Sequence, residues 1–148
     1  PRLPAQVAQH FGVSGQPDAW GSKLQFVIVY LVTVAVMAVT FLGFGLAMPK
    51  MPNSIINLPN KGYWLAPERR QQTLDYMLPR FLWLGFITML LLLDVFQQSF
   101  QVHLGKATKL NHVLLSLGAY VAVTTVWRIA IYTKFRKGES QQPAGHVP

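Results

Sequence analysis

The stretch that decides the fold is LQFVIVYLVTVAVMAVTFLGFGLAM, which runs from Leu24 to Met48 without a charged residue. As a helix, its 25 residues would extend about 37 Å. A hydrocarbon core is about 30 Å thick, so such a helix crosses it with some tilt. Val and Ile also suit a buried strand, but strands of this length are rare. The stretch therefore predicts a transmembrane helix over 24–48. Pro49 and Pro52 end it, because proline cannot donate a backbone hydrogen bond.

Two further apolar runs predict two more spans. FLWLGFITMLLLLDVF begins at Phe81 and, with the uncharged residues that follow, predicts a span over 81–98, and a third run predicts one over 112–133. Helices that are apolar all round are surrounded by lipid or by other helices. Only a helix satisfies every backbone group within one segment. We therefore expect an all-α integral membrane protein with three transmembrane helices in this chain.

The composition agrees with a membrane protein. The chain of 148 residues is 51% hydrophobic and only 12% charged, whereas soluble domains carry roughly 25% charged residues. The absence of cysteine excludes disulfides, thiolate metal sites and cysteine nucleophiles. The net charge of +8 could suit nucleic acid, but the basic residues flank apolar runs instead of sharing one polar face with aromatics. We expect the lipid bilayer as a partner and no nucleic acid.

The distribution of Lys and Arg predicts the orientation. Segment 49–80 carries five and the tail 134–148 carries three, against two each in 1–23 and 99–111. The positive-inside rule makes 49–80 a cytoplasmic loop and 134–148 a cytoplasmic tail, whose composition predicts disorder. Segments 1–23 and 99–111 are then extracytoplasmic loops. A chain that begins outside needs an upstream helix or a cleaved signal segment. We favour the helix and so expect four spans in the full gene product, a multi-pass protein of a bacterial cytoplasmic (inner) membrane.

The two longest loops have distinct characters. LPAQVAQHFGVSGQPDAWGSK, residues 3–23, is rich in turn residues, and its first part predicts a short helix on the membrane surface. In INLPNKGYWLAPERR, residues 56–70, Pro67 suits the first position of a helix and Glu68 its first turn. This predicts a short juxtamembrane cytoplasmic helix with Arg69 and Arg70 directed to headgroups or a partner. Pro79 either breaks that helix or opens the second span.

Together the two loops resemble the bacterial domain-of-unknown-function family 1648, over roughly residues 1–80. The residues that carry the resemblance in the first loop are Pro4, His10, Phe11, Gly15, Pro17, Asp18, Trp20 and Lys23. Those in the second loop are Asn57, Pro59, Tyr63, Trp64, Pro67, Glu68 and Arg69, with Arg70 adjoining. The resemblance implies a small multi-span membrane protein without an established enzyme activity. Relatives include membrane proteins that confer immunity to a secreted toxin and signal its presence.

The sequence offers little catalytic chemistry. Topology brings His10, His103 and His112 to the outer side, but their spacing matches no zinc or haem signature, so a metal or tetrapyrrole site is the weaker interpretation. No catalytic residue and no cofactor is predicted. Asp94 lies within the second span. It either faces a polar partner, with Lys106, Lys109 or a loop backbone donor as candidates, or lies near the outer interface where water reaches it. Arg128, near the end of the third span, can extend to the headgroups.

Small residues suggest where helices meet: Gly43 with Ala47, and Gly118 with Ala122. The functional prediction is a non-catalytic small membrane protein that binds, senses or stabilises other membrane components. The alternatives are an accessory subunit of a larger membrane complex, a toxin-immunity or transport-type module, and a membrane enzyme that uses Asp94 and the outer histidines.

Overall fold

The computed structural model describes residues 3–136. The chain opens with a hairpin of strands β1 (Gln6–Phe11) and β2 (Pro17–Ser22). Four helices follow: α1 (Lys23–Ala47), the single turn α2 (Lys61–Trp64), α3 (Pro67–His103) and α4 (Val113–Arg136). A 3₁₀ turn over Met48–Lys50 extends α1. Helices α1 with its turn, α3 and α4 are each long and apolar enough to cross a membrane. The predicted fold class, a helical membrane protein with three spans and a short extra helix, is confirmed.

The three long helices form a layer with α3 in the middle. Helix α3 packs against both α1 and α4, whereas α1 and α4 scarcely touch each other. With 37 residues, α3 is about 55 Å long and exceeds the thickness of a hydrocarbon core. It therefore carries structure beyond the membrane at both ends. The last turn of α3 supports the hairpin, and we call this the hairpin end of the bundle. The first turns of α3 support residues 48–66, and we call this the loop end.

Segment 1–23, predicted as a loop with a short surface helix, contains the hairpin instead. The strands are antiparallel, with Gln6 opposite Ser22 and Ala8 opposite Trp20. Val7 and Ala8 are fully buried, so the segment gains more by pairing and burying these residues than as a helix on the membrane surface. Ser22 closes the hairpin and also caps α1, because its Oγ accepts a hydrogen bond from the backbone nitrogen of Gln25 at 3.2 Å.

Helix α3 begins at Pro67 as predicted, but it neither breaks nor restarts at Pro79. The predicted juxtamembrane helix is thus the first part of the second transmembrane helix. A Cβ built on Gly45 of α1 would lie 3.4 Å from Leu78 and 3.2 Å from Leu82, so α1 packs on α3 on both sides of the proline. This packing offsets the backbone hydrogen bond that proline omits.

The ends of the last two spans also differ from the prediction. Residues 99–103, expected in a loop, form the last turns of α3, where Ser99 Oγ donates to the carbonyl of Val95 at 3.0 Å. Residues 134–136, expected in the tail, complete α4. The remainder of the predicted disordered tail, 137–148, lies outside the described residues.

The small-residue pairs do not mark the contacts between these helices. Apart from the neighbouring residues and backbone of its own helix, no atom of residues 3–136 lies within 4 Å of a Cβ built on Gly43 or on Gly118, and both glycines are exposed. The close approach of α1 to α3 occurs instead at Gly85, where a Cβ would lie 2.5 Å from Phe41 Cγ. Only glycine fits at position 85, because the ring of Phe41 occupies the space that a Cβ would take.

Candidate functional site

The hairpin is fixed to the end of α3 by a buried histidine. His103 Nε2 lies 3.1 Å from the carbonyl oxygen of Ala8. Because a carbonyl only accepts, Nε2 is the nitrogen that carries the proton. The ring packs edge-to-face on Phe26 of α1, with 4.5 Å between centroids, so it joins β1, α1 and α3. Its Nδ1 is buried and has no hydrogen-bond partner in the part of the chain described.

A second anchor connects the hairpin turn to the α3–α4 connection. The backbone nitrogen of Leu110 donates to the carbonyl of Gly15 at 2.8 Å. Gly15 has a φ of +77°, and a Cβ on it would lie 2.7 Å from the carbonyl oxygen of Leu110. Only glycine suits both the left-handed backbone and this close approach. Gly15, a predicted site residue, therefore holds the hairpin in place.

The outer surface of the hairpin carries further predicted site residues of the first loop. His10 Nδ1 and Asp18 Oδ1 are 2.5 Å apart, and both side chains are at least half exposed. Trp20 is 61% exposed, and Val13 in the turn is 93% exposed. Phe11 instead lies toward His103, with 6.4 Å between ring centroids. The hairpin thus presents one polar pair and two apolar side chains on a fixed frame.

At the loop end, Arg70 holds the end of α1. Its Nη1 donates to the carbonyl of Pro49 at 3.0 Å and its Nη2 to that of Met51 at 2.6 Å, while Nε donates to Asn53 Oδ1 at 3.1 Å. The last carbonyls of a helix lack partners within the helix, and cations suit the negative end of its dipole. Arg70 was expected to point to headgroups or a partner, but its guanidinium is engaged within the chain.

The end of α4 is capped by the same loop. Trp64 Nε1 donates to the carbonyl of Phe135 at 2.7 Å, and Asn60 Nδ2 donates to that of Arg136 at 3.0 Å. Phe135 is fully buried, and the core around it consists of Met48, Ile56, Leu58, Leu65 and Leu74. Segment 48–66 therefore joins the ends of all three long helices over one small core.

The remaining predicted site residues of the second loop lie in α2, just before it, or at the start of α3. Arg69 Nε donates to the carbonyl of Tyr63 at 2.9 Å, and its guanidinium lies 4.0 Å from the centre of the Tyr63 ring. Pro67 and Glu68 are exposed in the first turn of α3, Asn57 is exposed, and Pro59 is half-buried. Arg69, like Arg70, is thus occupied inside the chain.

Sequence reasoning missed three residues of the loop end. Asn60 adopts a left-handed backbone with φ 50°, Asn53 Nδ2 donates to the carbonyl of Leu65 at 3.0 Å, and Thr73 Oγ1 donates to that of Trp64 at 2.8 Å. Asn is among the few residues that enter the left-handed region readily. The turn-like PNKG could have indicated Asn60, but no local pattern indicates the other two.

The two charged residues predicted inside the spans, Asp94 and Arg128, differ in their hydrogen bonding. Asp94 Oδ2 accepts hydrogen bonds from Ser116 Oγ at 2.6 Å and from Gln98 Nε2 at 2.7 Å, not from the expected lysines. Gln98 Oε1 in turn accepts from the backbone nitrogen of His112 at 2.8 Å. Arg128 makes no hydrogen bond or ion pair with any residue in 3–136. The Asp94 cluster links α3 to α4, whereas Arg128 stays available.

The described residues provide no metal centre. Within 3–136, no three His, Cys, Asp or Glu side chains are placed to hold one ion. His103 faces the hairpin, and the His10–Asp18 pair stands apart on the outer surface. What the arrangement offers chemically is hydrogen bonding and apolar contact.

The hairpin is also the part of the chain that resembles other proteins. Residues 1–34 match the model of DUF1648, a domain of unknown function. The resemblance is confirmed over this segment, which comprises the hairpin and the first part of α1. Residues 35–80, to which the resemblance was expected to extend, lie beyond the match. No curated protein and no solved structure matches the chain.

Proposed function

We propose that the protein is a non-catalytic membrane protein whose DUF1648 hairpin binds an extended segment of another membrane component. The site would lie on the extracytoplasmic face of a bacterial cytoplasmic membrane, as the Lys and Arg distribution predicts. The observation that carries the proposal is the open edge of β2. An exposed strand edge presents unpaired backbone donors and acceptors to an incoming strand.

Strand β2 is placed to accept such a segment. The sheet has two strands in residues 3–136, and α3 contacts β1 but hardly touches β2. Most of β2 is exposed, including Asp18, Ala19 and Trp20. Peptides that add a strand to an open edge obtain affinity from main-chain hydrogen bonds and specificity from alternate side chains.

Side chains next to this edge suit a protein partner. Trp20 is an exposed aromatic of the kind that anchors interfaces, and the His10–Asp18 pair offers polar groups beside it. The anchors at His103 and Gly15 fix the hairpin before a partner arrives. Such preorganisation lowers the entropy lost on binding.

Photo-crosslinking in intact cells tests this proposal. A photoreactive amino acid at position 19 should give a discrete protein adduct whose crosslinked peptide is one extended segment. Trp20→Ala should remove most of the adduct. Trp83→Ala is the matched control, because Trp83 is 63% exposed on α3 against 61% for Trp20, yet lies far along the chain from the hairpin. Adducts with lipid alone, or a protein adduct that both variants leave intact, would contradict the proposal.

A further inference from the structure

A cavity of about 530 Å³ lies at the loop end of the bundle, away from the hairpin. Its walls come from the second half of α4, from Met77 of α3 and from residues 57–59. The residues used below are Asn57, Pro59, Arg128, Ile131 and Tyr132. Sites for small molecules typically measure about 300–1,000 Å³, so the space suits a headgroup with the beginning of its chains.

Among the described residues that line these walls, Arg128 is the one that carries a charge. It lies eight residues before Arg136, hence about 12 Å from the end of α4. A cation at that depth requires an anion or access to the headgroups, and no carboxylate within residues 3–136 pairs with it. Guanidinium binds phosphate oxygens through two parallel hydrogen bonds.

Two further donors stand on the same walls. The side chains of Asn57 and Tyr132 make no hydrogen bond with other described residues, and both are exposed. Trp127 also lines the cavity, and its buried Nε1 has no acceptor among residues 3–136. Pro59 and Ile131 make the remaining walls apolar. Hydrogen-bond donors and apolar side chains therefore line the same cavity.

The capping contacts lie beside this cavity. Trp64 and Asn60 hold the last carbonyls of α4, and Asn60 follows Pro59 directly. The wall from α4 and the wall from the loop are thus tied together on one side of the space. A site held this way loses little conformational entropy when it is filled.

We propose that this cavity binds one anionic phospholipid, with its phosphate on Arg128 and its first acyl carbons against the apolar walls. Charge complementarity selects the anion, and the apolar walls select a lipid over a free phosphate. Asn57 and Tyr132 donate to the remaining headgroup oxygens. The lipid would join α4 to the loop at the membrane surface. This inference does not rest on the function proposed for the hairpin.

Native mass spectrometry of the full chain released from nanodiscs tests the site. Nanodiscs of phosphatidylglycerol should leave one retained lipid, and nanodiscs of phosphatidylcholine should leave none. Hydrogen bonds to a charged group contribute about 1.5–3 kcal/mol, so Arg128→Gln should weaken retention about tenfold or more. Arg136→Gln is the matched control, because it removes the same charge from the same helix outside the cavity.

Further variants and a competitor complete the test. Thr125→Phe fills the cavity with Arg128 intact and should also abolish retention. Circular dichroism confirms that each variant is folded. Equal retention of both lipids, or equal retention by Arg128→Gln and the wild type, would overturn the proposal. Displacement of phosphatidylglycerol by millimolar inorganic phosphate would show that the site selects free anions instead of lipid.

Discussion

The hairpin end and the loop end perform the same task by different means. Both join neighbouring helices, but the hairpin end uses backbone pairing and two point contacts, at Ala8 and Gly15. The loop end uses side chains that donate to helix carbonyls over a core of buried apolar residues. The hairpin keeps the predicted site residues His10, Asp18 and Trp20 on its surface. At the loop end, the predicted site residues Trp64 and Arg70 form hydrogen bonds within the chain instead. Under the function proposed above, the hairpin end serves recognition and the loop end serves stability.

The largest expected effect tests the loop end. Trp64→Ala removes the hydrogen bond to Phe135 and the edge-to-face packing on its ring, 5.2 Å between centroids. Replacing a packed Trp by Ala costs about 3 kcal/mol or more in unfolding free energy. Thermal unfolding in detergent, followed by circular dichroism, should show a lower melting temperature. Trp83→Ala, on an exposed face, should change it little, and equal losses in the two variants would remove the distinction.

This loop end is also where sequence reasoning reached its limit. Long apolar runs predicted the three spans, and Pro67 with Glu68 predicted the start of α3, because these signals are local. The contacts of Asn60 and Trp64 with the end of α4 join residues more than 70 positions apart. No short-range pattern encodes such a pair, so Trp64 was assigned to a partner or to headgroups and Asn60 was missed.

The hairpin was missed for a different reason. Its strands have six residues each, contain Pro17 and Gly21, and show no clean alternation, so the turn residues dominated the pattern.

Asp94 was predicted in part. Its need for a polar partner followed from its place in a span, but its partners Gln98 and Ser116 became known only from the packing of α3 on α4.

A smaller effect tests the turn that anchors the hairpin. Gly15→Ala places a Cβ 2.7 Å from the Leu110 carbonyl and strains a backbone of φ +77°. Gly105→Ala is the matched control, with φ +69° and no atom within 4 Å of its Cβ. The left-handed conformation costs about 1–2 kcal/mol for a residue other than glycine, so both variants lose that amount. Gly15→Ala should lose measurably more.

Hydrogen exchange locates the difference between these two variants. The amide of Leu110, which donates to Gly15, should exchange faster in Gly15→Ala than in Gly105→Ala, while amides in the core of the loop end remain unchanged. Equal exchange at Leu110 in both variants would mean that the contact between the turn and the α3–α4 connection does not hold the hairpin.

The smallest expected effect concerns the polar cluster that links α3 to α4 on the hairpin side of the bundle. Asp94 and Ser116 form a direct hydrogen bond of 2.6 Å, and hydrogen bonds between membrane helices contribute about 0.6 kcal/mol, rarely above about 1.7. A double-mutant cycle of Asp94→Ala and Ser116→Ala, measured by unfolding in detergent, should give a coupling energy in this range. The single variant Asp94→Ala should also speed exchange of the His112 amide, because Gln98 would lose the partner that directs it to that amide. A coupling of zero would leave the hairpin end with only its two point contacts, since the cluster would then satisfy a half-buried carboxylate without joining the helices. A coupling well above the range would instead make this end as dependent on side-chain contacts as the loop end, and the contrast between recognition and stability would weaken.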